Sequence, residues 1–266
     1  MQFTKMQANG NDYIYIDLHT EKIDDPASQA IRLCDRHVGI GGDGLVLLCP
    51  CEEADFHMRI FDPDGTEAEL CGNALQCSAV LYALSRKTKQ EEVFIKTQAG
   101  IRKVSLHHEG NAVSEVSVTL PYPKVLFADH RILLKDSFFP SSYISFGNPH
   151  CVVITDDLSD GNFLCNAPLL EKHPLFPNRT NVEFVQILSG NEFRMRTWER
   201  GCGETLSCST GSGAAVFAAY EQGLCGRSVT VVQPGGSIFV ELNVQEKQVV
   251  ISSQAKIIFR GECPEL

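Results

Sequence analysis

Met58-Arg59-Ile60-Phe61 stands 13 residues before Cys71-Gly72-Asn73, and Met195-Arg196-Thr197-Trp198 stands 13 residues before Cys208-Ser209-Thr210. The two stretches are 137 positions apart. Other pairs keep that offset in the same order: Gly10-Asn11 with Gly147-Asn148, Asp43-Gly44-Leu45 with Thr180-Asn181-Val182, and Glu67 with Glu204. Gln98-Ala99-Gly100 matches Gln233-Pro234-Gly235 two residues earlier than the offset predicts. Chance matches among common residues would not keep their order. The chain therefore reads as two related half-units, each closing a Gly/Glu-rich approach on a cysteine that opens a small-residue helix. Two such halves facing one another would present one cysteine from each side of a cleft.

A chain of 266 residues is long enough for two units of roughly 130 residues, each with its own core. Hydrophobic residues make up 43% and charged residues 21%, the balance of a soluble globular protein. No apolar run reaches membrane-spanning length and no signal segment opens the chain, so a cytoplasmic protein is expected, without a membrane partner. A formal charge of -10 without a basic patch argues against nucleic acid. Eleven cysteines, odd in number and irregularly spaced, suit reduced thiols better than a disulfide scaffold. None makes the CxxC pairs usual for structural zinc, and His150 has no ligand partner nearby in sequence, so no metal is expected.

Strands are predicted at Met1–Met6, Asn11–Ile16, Leu45–Leu48, His57–Phe61, Val93–Thr97, Ile101–His107 and Ser114–Leu120. Helices are predicted from Pro26 to His37 and from Leu75 to Ser85, the second apolar enough to be buried. Residues from Pro121 to about Pro140 read as the connection between halves. Strands then follow at Tyr143–Phe146, Cys151–Ile154, Asn181–Ile187 and Phe193–Trp198, with a helix from Ser212 to about Gln222 and further strands to Phe259. The expected class is α+β, with two pseudo-symmetric domains, residues 1–120 and 121–266. Each is a mixed, mainly antiparallel sheet or barrel round a central helix, and one sheet is open to recruiting a terminal strand from the other half. Gly39-Ile40-Gly41-Gly42-Asp43-Gly44 precedes a strand instead of opening a helix and lacks GK[ST], so its reading as a phosphate loop is weak.

Cys71 and Cys208 each stand where a helix begins, beside unpaired backbone N–H groups and the positive end of the helix dipole. That position is expected to favour a thiolate. It also suits the grip of a carboxylate, whose charge could delocalise when the adjacent α-carbon loses its proton. Two thiols on opposite sides of that carbon make a two-base racemase, one taking a proton and the other returning one. Nothing in the sequence demands a cofactor. Glu199 and Arg200 are either a surface ion pair or a functional one, in which Glu199 would receive an ammonium group and Arg200 would clamp a carboxylate. Asn11, Asn148 and Asn181 are either turn residues or ligand contacts, and His150 either orients substrate or caps a loop. Cys34, Cys49, Cys151, Cys165 and Cys225 read as buried fillers.

The chain resembles the diaminopimelate epimerase family of pyridoxal-phosphate-independent amino acid racemases almost end to end. The resemblance is carried by Phe3-Thr4-Lys5-Met6 with Gly10-Asn11-Asp12, Gly41-Gly42-Asp43-Gly44, and Asp64-Gly65-Thr66-Glu67-Ala68 with Cys71-Gly72-Asn73. It continues through Gly147-Asn148-Pro149-His150, Asn181-Val182-Glu183-Phe184 and Trp198-Glu199-Arg200-Gly201 to Cys208. It implies an amino acid substrate, no cofactor, and Cys71 and Cys208 as the paired bases. It further implies carboxylate-binding N–H groups on Gly72, Asn73, Ser209 and Thr210, and substrate contacts from Asn11, Asn148, Asn181, Glu199 and Arg200. A homodimer is carried as an expectation. The chain departs from the family pattern at Ala74-Leu75-Gln76, at Ser209 and at Asp62, where family members usually carry Asn near the distal carboxylate. An ionised Asp62 would repel that carboxylate, which keeps racemisation of histidine or a basic amino acid as an alternative to conversion of LL- to meso-diaminopimelate. A non-catalytic ligand-binding relative is the third reading.

Overall fold

The computed structural model describes residues 1–110, 112–135 and 137–264. It divides into two compact units, residues 1–119 with 253–266, and residues 120–252. In the first unit the elements run β1 (Gln2–Ala8), β2 (Asn11–Asp17), α1 (Pro26–Cys34), β3 (Gly44–Cys49), β4 (Phe56–Phe61) and β5 (Glu67–Ala68). They continue with α2 (Gly72–Arg86), β6 (Glu92–Thr97), β7 (Gly100–Glu109) and β8 (Ala112–Pro121). The second unit holds β9 (Lys124–Leu134), β10 (Ser137–Ser145), β11 (Pro149–Ile154), α3 (Asp160–Glu171), β12 (Asn181–Ser189) and β13 (Glu192–Glu199). It ends with β14 (Gly203–Thr205), α4 (Ser209–Glu221), β15 (Ser228–Gln233), β16 (Gly236–Asn243) and β17 (Gln248–Ser253). The last strand, β18 (Ala255–Glu262), pairs antiparallel with β1 from Gln2↔Glu262 to Ala8↔Ala255, so it joins the first unit and not the second.

The halves repeat strand by strand. β1 is antiparallel to β2, β2 parallel to β3, β3 antiparallel to β4, and β4 parallel to β6. β10, β11, β12, β13 and β15 repeat that series with the same senses. Even the register keeps the 137 offset: Tyr13 lies opposite Gly44, and His150 opposite Asn181. A parallel step needs a crossover, which α1 supplies in one half and α3 in the other. Each half also locks its short fifth strand with a bidentate ion pair, Arg59 to Glu67 at 2.8 Å and Arg196 to Glu204 at 2.9 and 3.0 Å.

The cores follow from composition. α4 buries every residue from Ser209 to Ala219, and α2 buries Asn73 to Leu81. Small residues on all sides let a sheet approach such helices closely all round. α1 packs Ala30 and Leu33 on Ile14, Ile16, Leu45 and Leu47, while α3 packs Phe163 and Leu170 on Val182 and Phe184.

Several expectations change. Among the described residues the second half has two helices instead of the single one expected: α3 begins at a Ser159 N-cap that accepts from Asn162 N–H and continues through Pro168. Helix α1 stops at Cys34 instead of His37, since the Asp35 carboxylate takes the N–H groups of His37 and Val38. The Pro121–Pro140 stretch is no simple connection: it holds β9 and the start of β10, and the two strands pair antiparallel as far as Ser145↔Lys124. Most of β9 is exposed, so it carries no apolar alternation for a sequence reading to find. No described helix is long and apolar enough to cross a membrane.

Candidate active site

The first unit builds a polar cluster around Cys71. Asn9 and Gly10, both at positive φ, turn the chain from β1 into β2 and set Asn11 at the strand start. Cys71 is the N-cap of α2, in an extended conformation, and its carbonyl accepts from Leu75 N–H at 3.0 Å. Its Sγ is hydrogen-bonded to the Tyr13 hydroxyl at 3.1 Å. Asn73 is buried on the first turn of α2 and donates from Nδ2 to Asn11 Oδ1 at 2.8 Å. Gly72 begins the helix beside them.

Asp62 follows β4 and is half-buried, its N–H bonded to Thr66 O and its carbonyl to Gly65 N–H. Burial, then the neighbouring Asp64 charge, push its pKa up, against a hydrogen bond from Thr66. The structure therefore eases the protonation of Asp62. A protonated carboxyl can sit beside another carboxylate without repulsion.

The second unit surrounds Cys208 more tightly. Cys208 is the N-cap of α4 and 7% exposed, and its Sγ accepts from Gly211 N–H at 3.3 Å and lies 3.6 Å from Thr210 Oγ1. Gln233 ties the segment down: Oε1 accepts from Cys208 N–H at 2.9 Å, and Nε2 donates to Ser212 Oγ at 3.0 Å. Asn148 donates to Thr210 Oγ1 at 3.0 Å, and its own buried Oδ1 has no hydrogen-bond partner among the described residues. Ser209 and Thr210 are buried on the first turn of α4. Glu199 ends β13 and accepts from Thr205 Oγ1 at 2.7 Å.

The expected ease of ionisation fails at Cys208. Burial raises its pKa well above the ordinary thiol value, and the Glu199 and Glu183 carboxylates raise it further. The Gly211 N–H and Thr210 hydroxyl act in the opposite sense and do not prevail. A helix terminus contributes a partial charge, whereas loss of water costs the whole thiolate.

Asn181 spends its amide on the fold: Nδ2 donates to Pro149 O at 3.0 Å, and Oδ1 accepts from Arg200 N–H at 2.8 Å. It thereby holds the Arg200 turn, while the exposed Arg200 guanidinium reaches Asn178 O at 3.5 Å. His150 is wholly buried, with Nδ1 2.7 Å from Glu183 Oε1. Its Nε2 and Glu183 Oε2 have no hydrogen-bond partner among the described residues. His150, Glu183 and Cys208 bring their ligand-capable atoms within 4.8 Å of one another, so His150 does gain partners by folding. The 2.7 Å separation is a hydrogen bond, shorter than the roughly 3.3 Å between two ligands of a tetrahedral zinc with bonds of about 2.0–2.1 Å.

Among the other thiols, burial pushes Cys34 up to about 12, and Cys49 and Cys225 up to about 11. Cys151 is buried and shifted the same way. Cys165 is exposed on α3, so it is no filler. Tyr13, Gln233 and Glu183 escaped the sequence reading as site residues. The 137 offset could have found Tyr13, which stands in register with His150.

The family model described as diaminopimelate epimerase matches residues 3–121 and 142–258, one segment in each half. A diaminopimelate epimerase of Pelotomaculum thermopropionicum is 41% identical over 278 residues, covering 99% of both chains. One from Methanococcus maripaludis is 39% identical, covering 98% of this chain and 99% of its own. Among solved structures, a hydroxyproline epimerase from Agrobacterium vitis aligns with a TM-score of 0.74 at 17% identity, covering 98% of this chain and 91% of its own. A PhzF-family protein of Bacillus anthracis aligns at 0.76 and 19%, covering 100% and 99%. These distant structures share the fold.

Proposed function

Because the chain belongs to the diaminopimelate epimerase family, we propose that it is an isomerase of amino-acid biosynthesis that converts LL-2,6-diaminopimelate to the meso form on the route to lysine. What supports the reading is full-length similarity together with a thiol at the N-cap of the buried helix in each half. One thiolate removes the α-proton, and the other thiol returns a proton to the opposite face. Cys71 and Cys208 are the two bases. The N–H groups of Gly72, Asn73, Ser209 and Thr210 stabilise the reacting carboxylate as it takes up charge, each such donor being worth roughly 10²–10³ in rate. Asn11, Asn148, Glu199 and Arg200 position the substrate, Asn181 acts with them by holding the Arg200 turn, and the chemistry requires no cofactor.

Incubation with either isomer in D2O should place deuterium at the inverted α-carbon. Retention of protium there, with intact protein, would remove this substrate. The Asp62→Asn variant should lower KM for diaminopimelate about 3–10-fold at pH 8, because a like charge beside the distal carboxylate disappears. The advantage should shrink as pH falls, since protonation of Asp62, eased by burial, neutralises the same charge. Equal KM values at every pH would take Asp62 out of the pocket.

The reading extends to a cytoplasmic location and a homodimer. Exposed Leu126, Leu133 and Phe138 on β9 and β10 offer apolar surface for self-association. A single-chain mass by sedimentation at micromolar concentration would refute the dimer.

A further inference from the structure

Glu171 is the last residue of α3 and is only 2% exposed. Its carboxylate reaches the turn at the end of β13. Oε1 accepts from Gly201 N–H at 3.0 Å, and Oε2 accepts from Trp198 Nε1 at 3.3 Å. One side chain thus grips the chain on both sides of Glu199-Arg200. Oε1 also binds the guanidinium of Arg179, a residue held at φ 61 just ahead of β12. The Glu171 carbonyl takes the N–H of Thr180 at 3.3 Å. The end of α3, the approach to β12 and the Arg200 turn therefore meet at one buried carboxylate. Both contacts made by Arg200 lie on that approach, since its N–H binds Asn181 Oδ1 and its guanidinium reaches Asn178 O.

The internal repeat separates what the fold needs here from what the second half adds. The 137 offset sets Cys34 against Glu171, Gly42 against Arg179, Phe61 against Trp198 and Asp64 against Gly201. Cys34 and Glu171 each end the crossover helix of their half. Each also gives its carbonyl to the loop that follows, Cys34 O accepting from Gly42 N–H at 3.1 Å. Cys34 is as deeply buried as Glu171, so an uncharged side chain suffices for the helix end. A carboxylate taken out of water is costly unless hydrogen bonds and a counter-charge replace its hydration. Glu171 has both, and they come from the segments that flank Arg200. The matching pair for Glu199-Arg200 in the first half is Asp62-Pro63, which has no guanidinium to aim.

We propose that Glu171 is a positioning residue that aims the Arg200 guanidinium at a carboxylate of the substrate. The inference rests on the reading above in which Arg200 binds substrate. In that reading the reacting carboxylate is held by backbone N–H groups, which leaves Arg200 for a second one. Glu171 thereby serves the preference for an amino acid that carries two carboxylates. A guanidinium fork binds a carboxylate through two parallel hydrogen bonds only when its long stem starts from the right place. Clamping residues 198 and 201 fixes the main chain from which that stem springs. Through Arg179, Glu171 also steadies the loop whose Asn178 carbonyl meets the guanidinium. Without the clamp the substrate itself must order the turn, and that cost falls on binding, not on proton transfer.

Steady-state kinetics of Glu171→Gln test the role. The amide keeps the volume but places a donor where one carboxylate oxygen accepted. Its kcat/KM for diaminopimelate should fall about 10-fold through KM, with kcat within about twofold, because the lost interaction serves binding. Iodoacetamide should alkylate Cys208 at the native rate, read by peptide mass mapping of timed samples. A general loosening of the second half would instead lower kcat and alter that rate. Trp198→Phe removes one hydrogen bond to the same carboxylate and should raise KM about threefold. Arg200→Met alone should lower kcat/KM about 100-fold. The variant carrying both Glu171→Gln and Arg200→Met should be no worse than Arg200→Met, because the first acts through the second.

A native KM in Glu171→Gln overturns the proposal, as does a kcat that falls with kcat/KM or an altered Cys208 rate. So does a double variant in which the two losses multiply. If Glu171→Gln does not fold, Trp198→Phe decides alone, and a native KM there is fatal. Failure of the underlying reading is separable: it would appear as a native kcat/KM in Arg200→Met itself.

Discussion

Replacing Cys208 by serine is expected to lower kcat by about 10³-fold or more without lowering the melting temperature. The two quantities separate because the side chain does two jobs. As an N-cap, Sγ accepts from Gly211 N–H at 3.3 Å, and a serine hydroxyl is the better cap by general preference. As a base, the hydroxyl is far weaker than the thiol it replaces, and the same burial and carboxylates that raise the Cys208 pKa would disfavour an alkoxide more. Cys71→Ser should behave alike, since the Cys71 side chain makes no capping hydrogen bond that serine would lose. General acid–base catalysis by one group is worth roughly 10²–10⁴, and inversion needs both groups. The double variant should therefore be little slower than either single one, as for residues that act as a unit. Steady-state rates from both isomers, with melting curves on the same samples, check the expectation. A single serine variant with more than a tenth of the native rate would exclude that thiol as a base.

The second large effect concerns stability. Lys5→Met should destabilise the protein by about 3 kcal/mol, the lower end of the cost of breaking a buried ion pair. Lys5 is 4% exposed, lies 2.6 Å from Asp12 Oδ2 and donates to Gly41 O. Arg36 also binds Asp12 at 2.6 Å and Asp43 at 2.9 Å, so the carboxylates keep one cation and the full penalty is not reached. Burial alone would raise the Asp12 pKa, but Arg36 and Lys5 outweigh it and hold it below the ordinary value. A carboxylate depressed in this way contributes stability above the unfolded pKa of about 4 and loses it as pH falls through the folded value. The deficit of Lys5→Met should accordingly be full at pH 7 and smaller near pH 3. For a chain of this size, roughly 2–4 °C per kcal/mol gives a melting point lower by about 6–12 °C. An unchanged melting point at pH 7 would contradict the assignment of Lys5 as a structural anchor.

This ion cluster also explains the Gly41-Gly42-Asp43-Gly44 run. Gly42 leaves space that a Cβ would take from Lys5 Nζ, at 2.7 Å, and Asp43 Oδ2 accepts from Asp12 N–H at 3.0 Å. The loop braces the start of β2 next to Asn11. Its glycines signalled a close approach, but the buried ammonium that makes the approach necessary lies 36 residues away at Lys5.

Some of the site was legible because its signals are local or repeated. Cys71 and Cys208 stood out by their mirrored spacing, and both helices begin where small residues follow the thiols. β9 was missed because exposed strands show no apolar alternation, and α3 because Pro168 obscures a helical stretch. Asn181 and His150 were visible as residues but not as roles. Their partners, Pro149 and Arg200 for one and Glu183 for the other, are supplied by strands meeting side by side.

The amino-acid order by itself determined the twofold repeat, the α+β class and the pair of thiols at helix starts, since periodicity, spacing and cap chemistry act between near neighbours along the chain. Only the tertiary structure decided what surrounds each of them, as at Cys208, where burial and the Glu199 and Glu183 carboxylates push the thiol pKa up. Ionisation depends on water excluded and charges gathered from distant segments, and those are properties of packing in space.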